Sequence, residues 1–209
     1  MTLQRKASRF LGIVLTILIG LATQVPALPA HAAPEPPFEF RFPQETGPTM
    51  FTSSFGAGRS GGRHHTGNDL MAPKMTKVYA AAEGVITVIG TSDLAGRYIE
   101  IDHGDGWSTR YIHLNNDDPG TDNGSADWNL TVVPGLVEGT RVGAGQHIAW
   151  VGDSGNAEWT GSHTHFEIGY QGSEIDPYSY LKDAFQRDVD RLEHDVWRRS
   201  RPIGIETML

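Results

Sequence analysis

Short apolar runs separated by glycine-centred breaks make up most of this chain. From about Met50 onward, apolar and polar residues exchange places with the period of two that a β-strand requires. The runs are 78–82, 84–89, 98–102, 107–114, 140–142, 147–151 and 163–168. His103-Gly104-Asp105-Gly106 supplies hairpin chemistry between two of them. Strands this short, in a chain with 25 glycines, predict an all-β core: an antiparallel sandwich or open barrel. Beyond residue 175 the period changes. Asp176 is an N-cap ahead of Pro177, and Leu181, Phe185, Val189, Leu192 and Val196 then recur at helical spacing as far as Pro202. Residues 177–200 therefore read as one amphipathic helix, strapped onto the domain.

The amino-terminal stretch has another texture. Arg5, Lys6 and Arg9 precede an apolar run over 10–22, and Ala30-His31-Ala32 offers a small-residue cleavage site. That is the layout of a secretory signal peptide over 1–32, and the run is shorter than the ~20 residues a spanning helix needs. Export to the cell wall or periplasm is expected, with no stable membrane insertion after cleavage. Residues 33–49 hold too much proline for a helix and read as an extended linker or edge segment. The organisation is then a domain over 50–181, followed by the helix and tail over 182–209.

Charge and cysteine content narrow the chemistry. Removal of the signal takes away three basic groups and no acidic ones, which moves the formal net charge from −8 to −11. A surface this acidic gains nothing from phosphate, so nucleic acid is not an expected partner. With no cysteine, neither a disulfide nor a thiolate metal site is available. Any metal must be held by His, Asp or Glu, which suits a catalytic zinc better than a structural one.

Three segments carry such groups. Along 163–168, alternation sends Phe166 and Ile168 to one face and His163, His165 and Glu167 to the other. His65 and Asp69 are four apart, but the Thr, Gly and Asn between them disfavour a helix. A straight strand would hold their Cα atoms roughly 13 Å apart, so a shared ion requires a bend, for which Gly67 is the natural pivot. In 107–114, alternation directs Ile112 and Leu114 to the core and His113 away from it, on the side of Trp107, Thr109 and Tyr111.

Taken in order, His65-x-x-x-Asp69, Tyr111-Ile112-His113-Leu114 and His163-x-His165 resemble the motifs of the M23 peptidase family, the lysostaphin and LytM type zinc endopeptidases of bacterial cell walls. The flanks agree over about residues 50–181, from Phe55-Gly56-Ala57-Gly58-Arg59 to Ile175-Asp176-Pro177. The resemblance implies a LytM-type core and one Zn2+ ion bound by His65, Asp69 and His165, with a water in the fourth position. It further implies that this water attacks the amide carbonyl of a peptidoglycan stem peptide or cross-bridge. His163 would be the general base, and His113 would hydrogen-bond the oxyanion. Glu167 either supports a ligand from behind or forms a salt bridge. His64 reads as a surface residue, His103 as a turn residue, and His147 and His194 as structural.

One departure from the family pattern stands out. Between Leu114 and Val142 the stretch 115–139 is an insertion with five acidic and no basic groups, and it lacks the ligand spacing of a calcium loop. It is expected to wall the substrate cleft, with Trp128 and Trp159 as lining. The competing reading is a catalytically silent LytM-type domain that binds the wall or activates a separate amidase. Such a domain is expected to have lost zinc ligands, whereas this chain keeps all five positions.

Overall fold

Residues 33–200 are described in the computed structural model; the expected signal segment 1–32 and the tail 201–209 lie outside the described residues. In chain order the strands are β1 Asn68–Met71, β2 Lys77–Tyr79, β3 Gly84–Ser92, β4 Gly96–Gly104, β5 Trp107–Leu114, β6 Arg141–Val142, β7 His147–Trp150, β8 His163–Tyr170 and β9 Ser173–Ile175. The helix α1 covers Tyr178–Ser200. A larger antiparallel sheet runs in the order β1-β8-β5-β4-β3-β6 with β9 paired to β8, and β2 and β7 form a separate two-stranded sheet. The fold is the expected antiparallel β core followed by a carboxy-terminal helix.

The alternation in β8 holds. Phe166 and Ile168 are buried in the core, beside Tyr111 from β5 and Ile99 and Ile101 from β4, and His163, His165 and Glu167 occupy the opposite face. In β5 the alternation read from sequence is wrong. Trp107, Tyr111 and Leu114 all belong to the core, while Ile112, paired with His165, sits on the other face. The cause is an irregularity in the ladder with β4, where Tyr111 faces Ile99 and Leu114 faces Arg97, so three steps on β5 answer two on β4. His113 absorbs the extra residue with φ at +64°, a left-handed conformation that turns its side chain to the Ile112 face.

Two short strands escaped the sequence pattern. β1, whose residues were read as part of a bent loop, pairs Asp69 with His165 and Met71 with His163; β9 closes the edge of β8. The bend expected at Gly67 lies immediately before β1. A side chain there would collide with the Phe166 carbonyl oxygen, so glycine is what allows the chain to close onto β8.

Residues 43–45 run beside β2, with Tyr79 N–H donating to the Pro43 carbonyl at 2.8 Å and Glu45 N–H to the Lys77 carbonyl at 3.0 Å, before a turn over 46–48. Phe40 and Phe42, which precede this segment, enter the core. Asp176 caps α1 through the Tyr178 N–H at 2.9 Å, and Leu181 and Ala184 bury its first turns. Packing along the whole helix is not observed: Leu192 is 56% and Val196 67% exposed. At 1.5 Å per residue, the helix is about 34 Å long and extends beyond the layer it covers.

Replacing Gly67 with alanine should lower stability by about 2 kcal/mol or more, because the clash is with backbone. The shift in the urea midpoint measures it, and an unchanged midpoint would show that β1 can move off β8 without loss.

Candidate metal centre

His65, Asp69 and His165 come together in space. His65 Nε2 lies 2.8 Å from His165 Nδ1 and 2.9 Å from Asp69 Oδ1, and His165 Nδ1 lies 3.0 Å from the same oxygen. The register Asp69↔His165 sets two of these groups opposite each other, and the bend before β1 delivers the third. His65 is fixed by a backbone ladder to the preceding lobe, Gly56 N–H to the His65 carbonyl and His65 N–H to the Ala57 carbonyl, both 2.8 Å.

Proton bookkeeping shows what this triangle fits. The Nδ1–H of His65 donates to the Ser54 carbonyl at 2.9 Å, which leaves Nε2 with a bare lone pair in the neutral ring. His165 uses Nε2–H on Glu167 Oε1 at 3.0 Å, which leaves Nδ1 bare. Glu167 is itself held by Thr66 Oγ1 and by Arg110, so its carboxylate is fixed as an acceptor. Three acceptor atoms therefore point at one another, an arrangement that only a shared proton or a cation can stabilise. Two imidazoles and a carboxylate are an ordinary donor set for zinc, and a hydrogen-bonded carboxylate behind one imidazole is its usual support. The Asp69 carboxyl is burdened by burial, yet its bonds to His165 and His65 hold it well below the usual carboxylate range. Burial lowers His165, but its bonds to Asp69 and Glu167 outweigh that and raise it.

His163 and His113 stand beside the triangle. The His113 ring centroid is 5.0 Å from that of His163 and 6.1 Å from that of His165. Each is oriented by a carbonyl: His163 Nδ1–H donates to Gly161 at 2.7 Å and His113 Nδ1–H to Ser154 at 2.8 Å. In their neutral forms both turn a bare Nε2 away from these carbonyls, and His163 Nε2 is 3.7 Å from Asp69 Oδ1. His113 can thus donate a hydrogen bond to an oxyanion only once Nε2 is protonated.

The other candidates have different surroundings. Trp128 is 43% exposed beneath the Arg97 guanidinium, 4.8 Å from its ring centroid, and Trp159 is 92% exposed. His64 is exposed and His147 packs against Trp150, as expected. His103, expected in a turn, is the penultimate residue of β4, with Nδ1 bonded to the Glu83 carbonyl and Nε2 to Thr109 Oγ1, both at 2.8 Å. Sequence reasoning passed over Arg59, which donates to the outer oxygen of Asp69 at 2.6 Å. It was noted only as part of a glycine-rich flank, and a lone arginine there carries no signal of its partner.

Burial, followed by the charge of His163, pushes His113 down to about 4 from its ordinary 6.5. A depressed histidine stabilises the fold fully above the unfolded value and loses that contribution as pH falls toward the folded one. In metal-free protein, the thermal midpoint of wild type should therefore drop relative to that of His113→Gln between pH about 6.5 and about 4. Parallel midpoint curves would contradict the shift.

Comparison with known proteins follows the same residues. The profile of Peptidase family M23 matches residues 63–124, which include His65, Asp69 and His113. The peptidoglycan DD-endopeptidase ShyA of Vibrio cholerae is 31% identical over 111 residues, covering 53% of this chain and 21% of ShyA. The murein hydrolase activator NlpD of Salmonella dublin is 30% identical over 129 residues, covering 61% of this chain and 28% of NlpD. The chain thus spans less than a third of the length of either relative. Among solved structures, a zinc containing peptidase from Vibrio cholerae superposes with a TM-score of 0.54 at 27% identity, over 69% of this chain and 40% of that one. The ordered histidine and aspartate motifs, the antiparallel core and the profile match all describe one domain, which is similar to peptidase family M23 over residues 63–124.

Proposed function

We propose that this protein is an exported zinc endopeptidase that hydrolyses peptide bonds in peptidoglycan stem peptides or cross-bridges. The observation that carries the reading is the convergence of three bare acceptor atoms, from His65, Asp69 and His165, beside two further imidazoles whose charged forms burial disfavours. Zinc held by those three residues would acidify a water and polarise a carbonyl.

The protein's own groups then have distinct tasks. His163 Nε2 accepts the proton of the attacking water, its ring aimed by the Gly161 carbonyl. His113, once protonated at Nε2, donates to the oxygen on which negative charge develops. Arg59 holds the outer oxygen of Asp69, leaving Oδ1 as the single inward donor atom. Glu167 keeps His165 in the tautomer that exposes Nδ1. Trp128 and Trp159, with the insertion, supply apolar surface for the peptide. Peptidoglycan as the substrate class is supported by the names of the relatives, and export by the pattern of residues 1–32. Among the described residues, no helix is long and apolar enough to cross a membrane.

Similarity to NlpD supports a second reading, a domain that stimulates a separate hydrolase. The two readings separate on purified peptidoglycan, with released fragments followed by mass spectrometry. The peptidase reading expects hydrolysis by the protein alone, abolished by chelation and restored by zinc; the second expects stimulation of an added amidase whether or not zinc is bound. His165→Ala should lower bound zinc, whereas His163→Ala should keep it and lose turnover by about 10²- to 10⁴-fold. Metal analysis of both variants decides, and equal loss of zinc would show that the two roles are wrongly assigned.

A further inference from the structure

Lys74 lies on the connection between β1 and β2, five residues after Asp69. Its ammonium is 2.6 Å from Asp117 Oδ2, 2.7 Å from Asp122 Oδ1 and 2.9 Å from Asp153 Oδ2. Asp117 and Asp122 belong to the insertion, and Asp153 to the loop after β7. Asp117 also accepts the Gly124 N–H through Oδ1 at 2.7 Å, so one carboxylate closes the loop and ties it to Lys74. Asp117, Asp122 and Glu158 form a group of carboxylates that could hold a cation, and the Lys74 ammonium already answers two of them.

An exposed ion pair contributes little, but this one is different. The Asp117 and Asp153 side chains are only 2% and 6% exposed, and a single ammonium serves both. Without it, two buried carboxylates face each other with no cation between them, which favours their separation. Arg97 joins the same segments from another direction. Its guanidinium donates to Thr131 Oγ1 at 2.6 Å and to the Ala126 carbonyl at 2.7 Å, while its backbone N–H donates to Ser154 Oγ at 2.9 Å.

Asp153 is followed directly by Ser154, whose carbonyl receives the His113 Nδ1–H and whose Oγ donates to the Leu114 carbonyl at 2.6 Å. We infer that Lys74 is a positioning residue for His113: by clamping Asp117 and Asp122 of the insertion to Asp153, it fixes the 153–154 segment that aims the imidazole. The insertion then governs turnover as well as bordering the cleft. The catalytic half of this inference rests on the peptidase reading; the geometric half does not.

The test compares Lys74→Met, Lys74→Arg and Asp153→Asn in the full chain. Zinc content, kcat and KM on cross-linked peptidoglycan peptides are measured, together with the 15N–1H signals of the His113 imidazole in zinc-free protein. Lys74→Met should keep its zinc and hold KM within about twofold, while kcat falls on the order of ten- to a hundredfold, the scale of a small misplacement of a catalytic group. Its His113 Nδ1–H signal should shift or vanish. Lys74→Arg should restore most of kcat and the signal, and Asp153→Asn should reproduce the signal change even if Lys74→Met fails to fold. Unchanged kcat and signals in the variants, or a rise in KM at constant kcat, would overturn the inference. Should the wild type hydrolyse nothing, the His113 signal alone decides the clamp while the peptidase reading falls separately.

Discussion

The site depends on one cross-strand pairing, the antiparallel register in which Asp69 of β1 stands opposite His165 of β8. Because side chains alternate along a strand, a slip of one residue would send Asp69 or His165 to the wrong face. The pairing holds because both strands are anchored from the other side. Phe166 and Ile168 are locked into the core, and Leu70, between the two site-facing residues of β1, is fully buried with them. The same alternation that excludes water from one face of the sheet therefore gathers charge and imidazole on the other. Gly67 permits the close approach on which this depends, and the short lobe behind it brings His65 into line.

Much of this was readable in the sequence. A period of two in 163–168 is unambiguous because Phe and Ile alternate with three polar residues, and the structure keeps it without correction. The helix was equally clear at its start, where aspartate precedes proline, but the apolar repeat continues past the point where packing stops. A repeat reports which residues share a face, and it does not report how far the neighbouring layer extends. β5 failed for a different reason. Its residues alternate well enough to define a face, but the extra residue at His113 inverts the phase midway, and nothing in Tyr-Ile-His-Leu announces a left-handed histidine. β1 was missed because a four-residue strand beginning with Asn-Asp carries almost no propensity of its own.

The contacts that give the histidines their chemistry were largely invisible in advance. His65, His113 and His163 donate to the main-chain carbonyls of Ser54, Ser154 and Gly161, and a carbonyl leaves no mark on the residue type. Glu167 could be seen as sharing a face with His165, although its partner could not be chosen from sequence. Lys74, Asp117 and Asp153 lie far apart in the chain, so only the fold reveals that they meet.

Those carbonyl acceptors bear on how such a domain can diverge. Any amino acid supplies the same oxygen, so position 54 can change identity while His65 keeps its proton arrangement, provided the backbone path survives; at position 154 the serine hydroxyl also ties the segment to Leu114 and Arg97. His165 is the exception, because its acceptor is a side chain, and drift at position 167 has no backbone substitute to fall back on. Sequence tolerance around the centre is therefore uneven: wide where peptide groups do the orienting, narrow at the one histidine that leans on a carboxylate.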